Sequence, residues 1–257
     1  MRCELEKYFS NPCESNGLLI AEAPTGYGKT YETIQAIYQY IAKGGSAQIL
    51  FVTNLLKNLP VDELRNLYEK NGRASLFEKE VLVLSSAASS VEKAILTEKI
   101  PPKFQTDAYQ ELLSACQKKK QYQEQFGEAG KEITKHLGDQ IREKLEPQFR
   151  RELEVHLQKT FPGGASPRRD AIRNKEAYKW MAKFYPSIFW TEYKVLLLSV
   201  KKLMARNIPL VEPSFECLSE RMLKNKIVCI DEFDASRSVI LDSLIDRALD
   251  LRADYLQ

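Results

Sequence analysis

The 257-residue chain has no run of 18 or more apolar residues, so no membrane-spanning helix is expected and no membrane partner. Histidine is scarce: His136 and His156 alone are too few for histidine-based catalysis or a histidine metal site. Five cysteines, at positions 3, 13, 116, 217 and 229, form no C-x-x-C pair. That spacing speaks against a zinc site and against a disulfide framework, and it points to reduced thiols and a cytoplasmic protein. Residues 1–10 carry Arg2, Glu4, Glu6 and Lys7 and lack the apolar segment of a secretory signal. Net charge is low as well, at +3, too little to imply nucleic acid on charge alone. What is present, at 44% hydrophobic, can bury the core of one large domain or two.

Two short segments carry chemistry. Ala23, Pro24, Thr25, Gly26, Tyr27, Gly28, Lys29 and Thr30 read A-P-T-G-Y-G-K-T, a phosphate-binding loop with Ala where the strict pattern has its first Gly. An apolar run at 17–21 precedes it, and Ile34, Ile37, Tyr38 and Ile41 follow at helical spacing. The loop is therefore expected between a buried strand and a helix N-terminus, where unpaired N–H groups and the helix dipole favour an anion. Gly26 and Gly28 permit the tight wrap, Lys29 would reach the β- and γ-phosphates, and the Thr30 hydroxyl would ligate Mg²⁺. The second segment, 227–234, reads I-V-C-I-D-E-F-D. Taken alone, D-E-x-D is more often a solvated turn. Paired with the loop it becomes a nucleoside triphosphatase signal: Asp231 holds Mg²⁺ and Glu232 orients or deprotonates the attacking water.

Further apolar runs at 48–53, 80–85, 194–199 and 226–230 read as strands, with helices at 60–71 and 219–223 between them. Alternation of this kind predicts an α/β fold, a P-loop parallel sheet sandwiched by helices. Between the third and fourth of its five strands lie more than 100 residues that are helical in pattern. Gln105 to Gln125 is one Lys- and Gln-rich segment. Ile133, Leu137, Ile141, Leu145, Phe149, Leu153, Leu157 and Phe161 recur every fourth residue, a spacing that drifts about 40° per step on an α-helix. Pro147 is expected to break this stretch into two helices. Ser166-Pro167 is expected as the N-cap and first residue of another. Residues 90–190 thus read as a helical insertion subdomain, with 1–89 and 191–257 forming the sheet domain. Tyr178, Trp180, Phe184, Tyr185, Phe189, Trp190 and Tyr193 cluster near Arg168 and Arg169, an interleaving that single-strand binders use; rings this dense are more often core.

At these residues the chain resembles the first RecA-like motor domain of superfamily 2 helicases, of the D-E-A-D/D-E-A-H type, over roughly 15–85 and 190–250. Residues 23–30 look like motif I, 227–234 like motif II, and Thr53-Asn54 stands where motif Ia begins and would touch a nucleic-acid backbone. The resemblance implies an ATP-dependent helicase or translocase motor using ATP and Mg²⁺, with Lys29 and Glu232 catalytic. It also implies single-stranded or duplex nucleic acid as partner, contacted at Thr53, Asn54, Arg168 and Arg169. A second RecA-like domain, in cis or trans, would supply the far half of the ATP cleft. The insertion is similar in place to that of helicases carrying an iron–sulfur cluster, but it holds only Cys116, so no cluster is expected. Phe233 replaces the usual Ala, and no Gln precedes the loop to read adenine, so ATP over GTP rests on the resemblance. Only 23 residues follow Asp234, with no S-A-T motif among them, so the chain is expected to be part of a longer motor. Two other readings stand beside this one: a different P-loop ATPase (a AAA+-type loader or nucleotide switch), and a protein-interaction module with a weak nucleotide site.

Overall fold

The computed structural model describes residues 2–10, 19 and 26–254. The expected strand at 17–21, apart from Leu19, and the loop residues Ala23, Pro24 and Thr25 lie outside the described residues. Along the chain come α1 (Arg2–Ser10), α2 (Lys29–Ala42), β1 (Gln48–Thr53), α3 (Val61–Lys70), α4 (Ala74–Glu80) and β2 (Val81–Val83). Six helices follow: α5 (Ala87–Ile95), α6 (Asp107–Phe126), α7 (Lys131–Gln140), α8 (Glu146–Thr160), α9 (Ala165–Asn174) and α10 (Glu176–Phe184). Then come β3 (Val195–Ser199), α11 (Val200–Leu203), α12 (Glu220–Leu223), β4 (Lys226–Ile230) and α13 (Phe233–Asp254). The chain divides into two compact units, one of residues 1–84, 191–206 and 216–257, the other of residues 85–190 and 207–215.

The first unit is α/β. Among the described residues its sheet has four strands in the order β2-β3-β1-β4, every neighbouring pair parallel. All six residues of β1 and all five of β3 are buried, which explains their unbroken apolar runs: a strand with neighbours on both sides and cover on both faces has no solvent side to mark. On one face Ile49, Phe51, Val195, Leu197 and Ile227 pack with Ile34, Ile37 and Ile41 of α2 and with Leu64 and Tyr68 of α3. The expected strand 80–85 is shorter than its apolar run, because Glu80 closes α4. Its carboxylate is held there by the Tyr68 hydroxyl at 2.8 Å and by Arg73. No helix among the described residues is long and apolar enough to cross a membrane.

The second unit is helical, and it corrects two expectations. Pro147 does not break the four-residue stripe. Helical structure runs from Lys131 to Thr160, with a π-helical turn at Ile141–Leu145 joining α7 to α8 immediately before the proline. A π turn carries one more residue than an α turn, so each residue advances less than the usual ~100° and the drift of the stripe is taken up there. Ile141, Leu145, Phe149, Leu153 and Leu157 are all buried, whereas upstream, on regular α-helix, Ile133 has rotated into solvent and Thr134 is buried in its place. Proline is tolerated directly after the π turn because the regular i→i−4 ladder it would interrupt is already shifted there: the Glu146 N–H donates to the Ile141 carbonyl, five residues back. Nor do Ser166 and Pro167 cap a helix: α9 begins at Ala165 after Gly164, placing both inside its first turn.

Five of the seven clustered aromatics, Tyr178, Trp180, Phe184, Tyr185 and Trp190, are buried in the second unit. Trp180 meets Phe184 edge-on at 5.0 Å and Phe104 at 5.3 Å. Rings so enclosed serve the core, since stacking on a base needs an open face.

Candidate functional site

In a parallel sheet every strand ends on the same edge, so the loops after β1 and β4 are neighbours even though 170-odd residues separate them in sequence. Val52 pairs with Ile230 in the last rung of that ladder, and the Asp231 N–H continues it by donating to the Val52 carbonyl at 2.8 Å. This fixes where the acids begin. The N-terminus of α2 reaches the same edge. Its first residues are Lys29 and Thr30, preceded by Gly28 at φ 73° and Gly26 at φ 86°. Both glycines occupy the left-handed region, where a Cβ would be strained although nothing lies within 4 Å to obstruct it. The N–H groups in the first turn of α2 have no partner within the helix, as at any helix start. Lys29 and Thr30 are half-buried, while Gly26, Tyr27 and Gly28 are exposed.

The Thr30 hydroxyl donates to Asp231 Oδ2 at 2.6 Å, joining positions 201 apart in sequence. The other carboxylate oxygen, Oδ1, accepts the Glu232 N–H at 3.0 Å. Glu232 itself has φ 51°, a left-handed conformation that is sparsely populated for a residue with a side chain. That backbone is secured on the helix side as well: the Ser236 N–H donates to the Glu232 carbonyl at 3.0 Å, and the buried Ser236 hydroxyl to the Asp231 carbonyl at 3.3 Å. The Glu232 side chain is exposed and accepts a hydrogen bond from Asn58 Nδ2 at 2.9 Å. Behind the acids, burial and the nearby Asp231 carboxylate push the Cys229 thiol up to about 12, so it stays protonated at neutral pH and is not a nucleophile there.

Thr53 and Asn54 stand at the end of β1. Thr53 is buried, and its hydroxyl is spent on the Leu55 carbonyl at 2.8 Å; Asn54 is half-buried. Arg168 and Arg169 belong to the second unit. Arg168 donates to the carbonyls of Phe161 and Val211, at 3.3 and 3.1 Å, while Arg169 donates to the Ile188 carbonyl at 3.2 Å and pairs with Glu212. Both arginines thus tie α9 to neighbouring chain. Asn58 was not anticipated from sequence. Its one signal is a polar side chain shortly after an apolar strand, and that becomes informative only when β1 is known to lie beside β4.

A hydroxyl and a carboxylate in contact form a hard, all-oxygen donor pair that suits Mg²⁺, an ion commonly held by one or two protein oxygens together with substrate phosphates. Among the described residues no cluster of three or more His, Cys, Asp or Glu could hold a metal ion by itself. Thr30 and Asp231 therefore fit a metal that arrives with phosphate oxygens, and do not form a closed protein cage. No protein-family model and no curated protein matches the sequence.

Proposed function

We propose that the chain is the ATP-hydrolysing motor domain of a nucleic-acid helicase or translocase, built on a RecA-like fold and working in the cytoplasm. The observation that carries this reading is the 2.6 Å bond between Thr30 and Asp231, which unites the helix that begins with G-K-T and the strand that ends in D-E. In the proposed site Gly26 and Gly28 let the backbone wrap the phosphates, and Lys29 pairs with the β- and γ-phosphate oxygens. Thr30 and Asp231 would hold Mg²⁺, which when bound neutralises phosphate charge. Glu232 orients a water and takes its proton as the water oxygen bonds to the γ-phosphorus. The bond from that phosphorus to the bridging oxygen breaks, leaving ADP and phosphate. A second RecA-like domain, in cis or trans, would complete the cleft, and nucleic acid would run past Thr53 and Asn54, with the helical unit as an insertion.

Two substitutions test the site. Lys29→Ala removes the side-chain charge of the loop, so titration should show a severe loss of ATP–Mg²⁺ binding in a folded protein. Glu232→Gln keeps the shape and removes the base, so hydrolysis should fall by about 10²–10⁴-fold while ATP affinity stays near wild type. Wild-type nucleotide binding by the Lys29→Ala protein would overturn the assignment.

A further inference from the structure

A second concentration of polar groups lies in the helical unit, where three separate pieces of chain bring donors together. Lys103, in the short 3₁₀ turn Pro102–Phe104, donates from Nζ to the Tyr178 hydroxyl at 3.3 Å. That hydroxyl lies 3.1 Å from His156 Nε2 of α8, and the Thr160 hydroxyl, one turn further along α8, lies 3.5 Å from the same nitrogen. Aromatic rings fix the geometry. Lys103 Nζ rests 4.6 Å from the centre of the Tyr178 ring and 4.8 Å from that of Phe104, and the His156 ring meets Phe104 edge-on at 5.0 Å. Lys175 stands one ring further on, 4.6 Å over Phe161, which packs edge-on against Tyr178 at 5.2 Å. Phe104 and Tyr178 are buried, His156 is half-buried, and Lys103, Thr160 and Lys175 are exposed, so the cluster opens to solvent.

What this cluster lacks is negative charge. Among the described residues no carboxylate pairs with Lys103 or Lys175, whose side chains meet only the hydroxyl and the rings. The acids on the same elements are engaged elsewhere: Glu152 accepts the Thr106 hydroxyl at 2.6 Å, Glu154 pairs with Arg150 at 2.9 Å and Glu176 with Lys179 at 2.6 Å. Burial, and then the uncompensated Lys103 ammonium, holds His156 below the ordinary imidazole value. No side chain caps the first turn of α10, and the Tyr178 side chain leans toward that positive end of the helix. With the ring neutral and its proton on Nδ1, Nε2 accepts the Tyr178 hydroxyl proton; once the ring is protonated, Nε2 donates and both hydroxyls are free to turn outward. An ammonium, an imidazolium and two hydroxyls then converge from three elements. A tetrahedral oxyanion with several acceptor oxygens suits such a set, whereas a planar carboxylate has only two.

We propose that Lys103, His156, Tyr178 and Thr160 form a binding site for a phosphate group, with Lys175 adding attraction from one ring away. All five residues belong to the helical unit, so the inference is independent of the motor reading. The test follows the histidine resonances of the full chain by NMR through pH titrations in sodium phosphate and in sodium chloride at matched ionic strength. The chain has two histidines; His156→Gln identifies the His156 signal, and exposed His136 serves as internal reference. In phosphate the proton affinity of His156 should rise by about tenfold over chloride, as expected when an anion joins a half-buried ring, while His136 responds alike in both salts. Lys103→Gln, at an exposed position, should leave the fold intact and remove most of that rise, and Tyr178→Phe should weaken it. Oligo(dT) with and without a 5′-phosphate, each added in chloride, tells the sources apart. A rise with the phosphorylated strand only supports a terminal phosphate, a rise with both strands supports the backbone phosphodiester, and a rise with inorganic phosphate alone supports a small free ligand. Equal His156 midpoints in all four media overturn the site, and so does a rise that Lys103→Gln leaves undiminished.

Discussion

Removal of the Thr30 hydroxyl tests the site at its most informative contact. Thr30→Ala deletes a short bond to a half-buried carboxylate, and such charge-assisted bonds are stronger than neutral ones. Water can reach this edge and replace part of the lost bond, and the other Asp231 oxygen keeps the Glu232 N–H, so no charge is left stranded. The cost to folding should therefore be about 1–2 kcal/mol, near the lower end for bonds to charged groups. Thr30→Ser retains the hydroxyl and should recover most of it. Urea unfolding of the full chain measures this, provided the slope with denaturant is unchanged, since an altered slope would report a different unfolded state. The same proteins should differ in how ATP binding responds to the metal. Mg²⁺ should strengthen ATP binding over EDTA for wild type and Thr30→Ser, and this gain should shrink for Thr30→Ala. If serine behaves like alanine, or alanine keeps the full gain from Mg²⁺, the hydroxyl is not the functional group and the metal-holding role of Thr30 fails.

The helical unit yields two predictions of its own. His156 is held below the ordinary imidazole value of 6.5 by burial and by the Lys103 ammonium, and its Nε2 lies 3.1 Å from the Tyr178 hydroxyl. Because the folded state resists its protonation, its contribution is fully present above pH 6.5 and is lost as pH falls through the lower folded-state value. The urea midpoint should thus decline as pH falls below 6.5, and His156→Gln should flatten that decline; an equally steep decline in the variant would count against the assignment. Deleting the exposed Glu143 removes the extra residue of the π turn; it keeps Phe149, Leu153 and Leu157 in phase with α7 but places Pro147 inside a regular α-helix, so it should cost about 3 kcal/mol. Deleting the equally exposed Arg151 turns Leu153 and Leu157 off the core face and should cost more than about 3 kcal/mol, read as the difference in unfolding midpoints.

How far these features were legible depends on what kind of signal each one left. β1 and β3 show in the sequence because a central parallel strand is buried on both faces and reads as an unbroken apolar run; β4 leaves the same signal although it is the last strand of the described sheet and Val228 is exposed. β2 is overextended in the same reading, since Glu80 ends a helix through contacts with Tyr68 and Arg73 that come from the preceding helix and turn. Pro147 misleads because a helix-breaking rule assumes a regular α-helix upstream, and the π turn at Ile141–Leu145 changes that premise. Arg168 and Arg169 look like a basic patch in sequence, yet carbonyls of Phe161, Val211 and Ile188 engage them, and acceptors of that kind leave no trace in residue type. Asn58 was invisible for a topological reason: pairing of β1 with β4, rather than β1 with β2, is what sets its amide against Glu232.

Local conformational rules are broken where the chemistry is proposed and obeyed where the sheet is packed. Gly26, Gly28 and Glu232 take left-handed backbone at the loop and at the acids, while β1 and β3 are regular and wholly buried. Glycine accepts such a conformation at little cost, but Glu232 accepts it at about 1–3 kcal/mol, a strain that persists only where the surroundings enforce it. Here the enforcing groups are Asp231 and Ser236, one from each side of the turn, both bonded to the Glu232 backbone. Relief of the strain by glycine would be the stabilising choice if Glu232 served only to end a strand. A glutamate kept at that position, with its backbone held from both sides of the turn, is what a group that must meet a substrate in one orientation requires.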